Sequence, residues 1–327
     1  MSLFEFITGS TRSWQPATTV DTTTVSYWIN WRVLLCSIWI LMPIIFASSI
    51  ISRHERHCCS LGQHKHQCCG VLYEDQAWKP CLESVHPGWL LAFRVFAGFI
   101  LLTMLVLNVV VDGSSIFYYY TQWTFTLVTI YFGLGSMLSM RGCYRYRSLE
   151  KEHFDAEHGS YGWTKIVDLN QERREKAGLL SRVYHIIFQI SAGAVVLTDI
   201  VFWFVIVPFL ATKDYKLNFL VINMHSTNAV FLLIDTALNS LTFPWFRIGY
   251  FLLWTCSYIL FQWILHASVS IWWPYPFLDL SSSYAPLLYS SIALLHIPCY
   301  GIFLLIVKGK HVLLSKWYPQ SYLGVQQ

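Results

Sequence analysis

Seven apolar runs, each long enough to cross the hydrocarbon core of a bilayer, constrain this chain more than any other feature of it. A helix needs about 20 residues for such a crossing, and only helices and closed barrels satisfy their own backbone polar groups in lipid. The runs fall at about 33–51, 89–111, 117–140, 183–210, 218–240, 246–271 and 284–307. If the first does not cross, six remain. Charged residues make up 12% of the chain and hydrophobic residues 55%. A soluble domain carries about 25% charged residues, so this chain has too little charge to cover a water-facing surface. The expected fold is an all-α, polytopic membrane bundle with no second domain.

The spans divide the remainder of the chain. Residues 1–31 read as a polar tail ending in the interfacial Trp28 and Trp31, and 32–307 as the transmembrane domain. The N-terminus lacks a basic stretch followed by an apolar one, so the first run is expected to stay in the protein. Pro43 lies inside that run and is expected to kink it. Arg94 sits near the start of the second and is expected to snorkel toward water. Between these spans lies a loop at 52–88, rich in His and Cys. A charged loop of mixed sign follows at 141–182, and the tail at 308–327 carries Lys308, Lys310 and Lys316.

Seven crossings put alternate loops on opposite faces. Four of the 22 Lys and Arg then fall on the N-terminal face and seventeen on the other, with Arg94 inside a span. The positive-inside rule places the basic face in the cytoplasm. The N-terminus is therefore expected outside or in the lumen and the C-terminus in the cytoplasm, in the plasma membrane or the endoplasmic reticulum. No basic stripe dominates any loop, so nucleic acid is not an expected partner; membrane lipids are.

The 52–88 loop contains His54, His57, Cys58, Cys59, His64, His66, Cys68, Cys69 and Cys81. Thiolates and imidazoles at this density suit zinc, but the cysteines stand in adjacent doublets rather than Cys-x-x-Cys pairs. Acylation of Cys58 and Cys59 is a second reading and, were the topology inverted, disulfides a third. No metal or cofactor is assigned.

Polar residues within spans are costly in lipid and tend to face the bundle interior or a water-filled cavity. Here they are Thr121, Gln122, Thr124, Asp199, Asn223, His225, Asp235, Asn239, His266 and His296. The plainer role for the hydroxyls is interhelical hydrogen bonding. Thr121 follows an aromatic belt at Tyr118, Tyr119 and Tyr120, and His225 lies in Asn223-Met224-His225-Ser226-Thr227. Both spans enter from the same face. At about 1.5 Å per residue, Thr121 and His225 differ in depth by roughly 5 Å. A threonine nucleophile needs a base for its proton and donors for the oxyanion, roles open to His225 and to Asn223 or a tyrosine, with Asp199 able to orient the imidazole. Gly-x-Ser-x-Gly and His-Glu-x-x-His are both absent.

The stretch Phe-Tyr-Tyr-Tyr-Thr-Gln-Trp-Thr-Phe-Thr-Leu-Val-Thr-Ile-Tyr-Phe-Gly-Leu-Gly-Ser-Met-Leu-Ser at 117–139 and the segment at 223–235 resemble the rolling stone proteins and their plant relatives. More distantly, they are similar to the androgen-induced and androgen-dependent membrane proteins. The resemblance is strongest from Trp89 to Trp273. The distant branch implies hydrolysis of fatty acid esters of hydroxy fatty acids by a threonine and a histidine within the membrane. Its threonine matches Thr121, and its Met-His-Thr-Thr matches Met224-His225-Ser226-Thr227. Thr121 as nucleophile and His225 as base are the catalytic residues this implies. The distant branch has a further histidine about where Ile222 stands here, and the rolling stone branch is associated with cell fusion. The expectation is thus a lipid (fatty acyl ester) hydrolase. The competing one is a non-catalytic membrane protein that organises partners or lipids.

Overall fold

The computed structural model describes residues 21–60, 72–158, 176–210 and 219–322, apart from the side chains of 56–60, 149–158 and 210. It is 81% helical, and no strand occurs among the described residues. A short α1 (Val25–Trp28) precedes α2 (Trp31–Ser60), α3 (Pro87–Asp112), α4 (Tyr120–His158) and α5 (Leu179–Val201). The fifth span breaks into α6 (Phe219–Met224) and α7 (Thr227–Leu238), and α8 (Ile248–Ser268) and α9 (Ala285–Trp317) complete the bundle. Seven described helical stretches are long and apolar enough to cross a membrane. The protein is a multi-pass α-helical membrane protein.

Local chemistry sets the helix ends. Pro87 opens α3, where its missing N–H would have no helical partner, and the His86 ring accepts from the Gly88 N–H. Gly113, at φ 73°, ends the helix in a conformation that L side chains seldom adopt. The apolar run of the third span ends at Met140, yet α4 continues to His158, because arginine, glutamate, lysine and leucine are good helix formers in water. The sixth apolar run extends to Ile271, whereas α8 ends at Ser268 before the Trp-Trp-Pro turn.

The burial pattern is that of a membrane bundle, with polar groups inside and large apolar ones outside. On α3, Val95, Phe99, Leu102, Val106 and Val110 form an exposed stripe at helical spacing. Leu90, Arg94, Ala97, Leu101 and Asn108 form the buried stripe. An apolar surface so continuous has lipid as its natural solvent. Gly193 brings α5 close to α8: a Cβ placed there would lie 2.5 Å from the Phe251 ring.

Arg94 does not snorkel. It is fully buried, its Nε donates to Asp235 at 2.8 Å, and its Nη1 donates to the Ala77 carbonyl at 2.6 Å and to Ser139 Oγ at 2.8 Å. Tyr131 and Asn239 also donate to Asp235. The Tyr184 ring stacks on Tyr131 and lies 5.4 Å from the guanidinium. The opposite charge comes not from water but from Asp235 on α7, which packs against α3. One buried network therefore joins α3, α4, α5 and α7 to the turn Glu74–Ala77.

This end of the bundle is closed by backbone. The Cys81 N–H donates to the Leu238 carbonyl, and the Glu83 N–H to the Ser321 carbonyl. Lys310, read from sequence as part of a basic tail, lies within α9 and donates to the Asn239 carbonyl at 2.8 Å. His64, His66, Cys68 and Cys69 lie outside the described residues, as do the side chains of His57, Cys58 and Cys59. Among the described residues no group of three or more His, Cys, Asp or Glu gathers in a metal-binding arrangement.

Candidate intramembrane polar site

Two helix irregularities converge on His225. The α-helical ladder of α5 gives way to π-helical turns at Phe202–Leu210, which contain Pro208. Such turns accompany functional sites and breaks in the ladder. In the neighbouring span, α6 ends at Met224 and α7 begins at Thr227. Asn223, Ser226 and Thr227 supply the reason, since short polar side chains compete with the backbone for hydrogen bonds. Asn223 donates to the Phe219 carbonyl at 2.8 Å, and the Thr227 hydroxyl donates to Asn223 at 2.9 Å. The His225 carbonyl, at the break, accepts from the Trp203 indole at 3.3 Å.

The His225 imidazole is buried and stacks on Phe202, with ring centroids 3.6 Å apart and planes 3° from parallel. Its Nδ1 lies 3.7 Å from Asp199 Oδ1, inside ion-pair range and beyond a direct hydrogen bond. Neither of these two atoms has a hydrogen-bond partner among the described residues. Asp199, Phe202 and Trp203 all come from the point where α5 becomes π-helical.

Thr121 lies in the first turn of α4. Its hydroxyl is 3.3 Å from the Tyr275 hydroxyl, and its N–H points at the same oxygen from 3.5 Å. Burial raises the Tyr275 phenol above its ordinary range, against the pull of Thr121, so it stays a hydroxyl at physiological pH. No hydrogen bond joins Thr121 to His225 among the described residues: one faces the 269–284 loop and the other faces α5. Their neighbours in sequence do touch, the Gln122 amide lying 2.8 Å from Met224 Sδ.

A third arrangement lies on α8 and α9. His296 Nδ1 is 2.8 Å from the Ile292 carbonyl, and Nε2 is 2.8 Å from Thr255 Oγ1. Tyr120, immediately before Thr121, places its hydroxyl 2.8 Å from the same Thr255 oxygen. His296 stood among the polar span residues of the sequence, but Thr255 did not. The signal for Thr255 is spacing: Thr255, Tyr258, Gln262 and His266 recur every three or four residues through an apolar span, and all are buried.

The sequence matches no protein-family model, no curated protein and no solved structure.

Proposed function

We propose that this membrane protein hydrolyses a fatty acyl ester drawn from the bilayer, with Thr121 as nucleophile and His225 as base. The observation that carries the reading is the buried Asp199–His225 pair, set where two spans both depart from regular helix. A carboxylate beside an imidazole holds its orientation and stabilises it once protonated. The Gln122–Met224 contact brings the turn bearing Thr121 to the turn bearing His225. The motif resemblance to the rolling stone and androgen-induced proteins supports the same two residues.

In this reaction Thr121 Oγ1 attacks the ester carbonyl carbon and its proton passes to His225. The imidazolium then gives that proton to the departing alkoxide as the carbon–oxygen bond breaks. Water cleaves the acyl-threonine by the same route. The Thr121 hydroxyl must first turn from Tyr275 toward α6. Water enters and the alcohol product leaves through the face that also carries the N-terminus, outside or in the lumen.

A second reading is a non-catalytic membrane protein that organises lipids or partners. It is favoured by the Thr121–Tyr275 contact and by the Phe202 ring stacked on His225. Turnover of a broad panel of lipid esters by protein in nanodiscs separates the two, with Thr121→Ala and His225→Ala alongside. Hydrolysis that disappears in both variants, with melting unchanged, supports the hydrolase. No hydrolysis by the natural chain supports the second reading.

A further inference from the structure

We propose that Thr255 and His296 form a second nucleophile–base pair, buried at the floor of a small recess, that accepts acyl groups from lipid esters. It needs neither Thr121 nor His225.

The hydrogen bonds fix the direction of every proton. A carbonyl oxygen only accepts, so His296 Nδ1, 2.8 Å from the Ile292 carbonyl, carries the ring hydrogen. Nε2 is then the lone-pair nitrogen, and Thr255 Oγ1 donates to it across 2.8 Å. The alternative acceptor for that hydroxyl, the Phe251 carbonyl one turn back, is farther away at 3.4 Å. Thr255 has one proton, and it is committed to the imidazole. Tyr120, 2.8 Å from the same oxygen, must therefore donate to it. A hydroxyl that donates to an oriented imidazole and accepts from a phenol is arranged as an activated nucleophile with a donor at hand for negative charge. Phe251 packs against the imidazole, with ring centroids 4.4 Å apart.

The pair also faces somewhere a substrate can go. Thr255 and His296 line a recess whose other walls include Trp39 and Pro43 of α2, Ile259 of α8 and Tyr289 of α9. Pro43 has no N–H, which leaves the Trp39 carbonyl outside the ladder of α2 at this wall. Trp39 is 37% exposed, and Leu294 and Ile297 beside His296 are also exposed. The mouth of the recess is thus the lipid-facing surface, and its walls are apolar. The recess has a volume of only about 20 Å³, room for an ester carbonyl at Thr255 with the acyl chain left outside among the lipid. A hydrogen bond that merely joins α8 to α9 would require neither the recess nor the second donor from α4.

In the covalent step Thr255 Oγ1 bonds to the acyl carbonyl carbon while its proton moves to His296 Nε2. Tyr120 donates to the developing charge. The carbon–alkoxide bond breaks, and the alkoxide leaves with the proton from Nε2. Water then attacks the acyl-threonine, gives one proton to Nε2, and releases a fatty acid as Thr255 regains its hydrogen.

The test is labelling of the full chain in nanodiscs by an alkyl fluorophosphonate and by a β-lactone probe, with the adduct mapped by mass spectrometry. The expected result is an adduct on Thr255 that persists in Thr255→Ser and falls at least tenfold in Thr255→Val and in His296→Gln. Glutamine still accepts a hydrogen bond from Thr255 but takes no proton at neutral pH. A purely structural pair would thus leave both melting and labelling of His296→Gln near the natural values, and that result overturns the proposal. An adduct on Thr121 alone also overturns it while supporting the Thr121–His225 reading. No adduct anywhere overturns it as well.

Discussion

Arg94 and Asp235 meet at 2.8 Å with both side chains wholly buried, and they are the charged centre of the bundle. Single charges in lipid are costly, and a paired, fully hydrogen-bonded set is the arrangement that tolerates them. Removing one partner strands the other. Arg94→Met and Asp235→Asn are each expected to lower unfolding stability by about 3–5 kcal/mol. The double variant Arg94→Met/Asp235→Asn should lose much less than the two single losses together, because no orphaned charge remains. Unfolding titrations in mixed micelles measure this. Strictly additive losses would show that the two residues do not act as a pair.

Gly193 lies against the Phe251 ring, and its missing side chain sets the separation of α5 and α8. Alanine is the better helix former by about 1 kcal/mol. Its Cβ, however, would stand 2.5 Å from a ring carbon, and the ring is itself fully buried. Overpacking is expected to win, with Gly193→Ala less stable by about 1–3 kcal/mol. Gly193→Ala combined with Phe251→Leu should recover part of that loss, as a thermal melt would reveal. A Gly193→Ala protein that melts higher than the natural one would refute the close contact.

The amount of this architecture written in the sequence depends on the kind of signal. Span positions were readable because hydropathy and length alone decide which stretches can cross a membrane. Helix ends were less readable, since α4 and α9 run on through charged residues that favour helix in water as much as any apolar residue does in lipid. Pairing was not readable at all. Arg94 and Asp235 stand 141 positions apart, and no local pattern tells which charge finds which. The same holds for the candidate site. His225 stood out because an imidazole in an apolar span is rare, and Asp199 was a candidate to orient it. The contact of Thr121 with Tyr275 comes from the aromatic loop folding back over α4, which periodicity does not encode.

Cys81 makes a pH-dependent prediction. It is buried outside the spans, and its thiol donates to the Ala237 carbonyl at 3.3 Å. Burial raises its pKa, partly opposed by the nearby Lys310 ammonium. Only the thiolate reacts with maleimides or iodoacetamide. At pH 7 to 8 Cys81 is therefore expected to alkylate more slowly than a free cysteine, and to speed up as pH rises past the ordinary thiol range of about 8.5. The stability linked to it is complete below that range and declines above it, since the unfolded chain loses its proton first. Mass-spectrometric alkylation rates at Cys81 from pH 7 to pH 10 provide the check. Labelling of the folded protein as fast as that of a denatured control would contradict the buried environment.

Seven crossings make a prediction about the two faces that any even number would reverse. The turn at 113–115 and the short helix α1 lie on one face, and the 79–85 loop and the end of α9 lie on the other. By the positive-inside rule, the excess of lysine and arginine on the second face predicts that this face is the cytoplasmic one. The natural chain contains no Asn-x-Ser/Thr sequence, so every glycan on an engineered variant reports an inserted site. An acceptor sequence carried in a polar insertion at Gly113–Ser115 is expected to be glycosylated in microsomes, and the same insertion after Trp317 is not. Glycosylation at both positions would mean that an even number of helices crosses between the two points. The count after α3 would then have to lose one of the five later spans, and α6–α7 is the candidate, since it is the shortest of the seven and is already broken at His225. Glycosylation only after Trp317 would keep the parity and invert the orientation, moving the water-facing side of Thr121 and His225 to the cytoplasm.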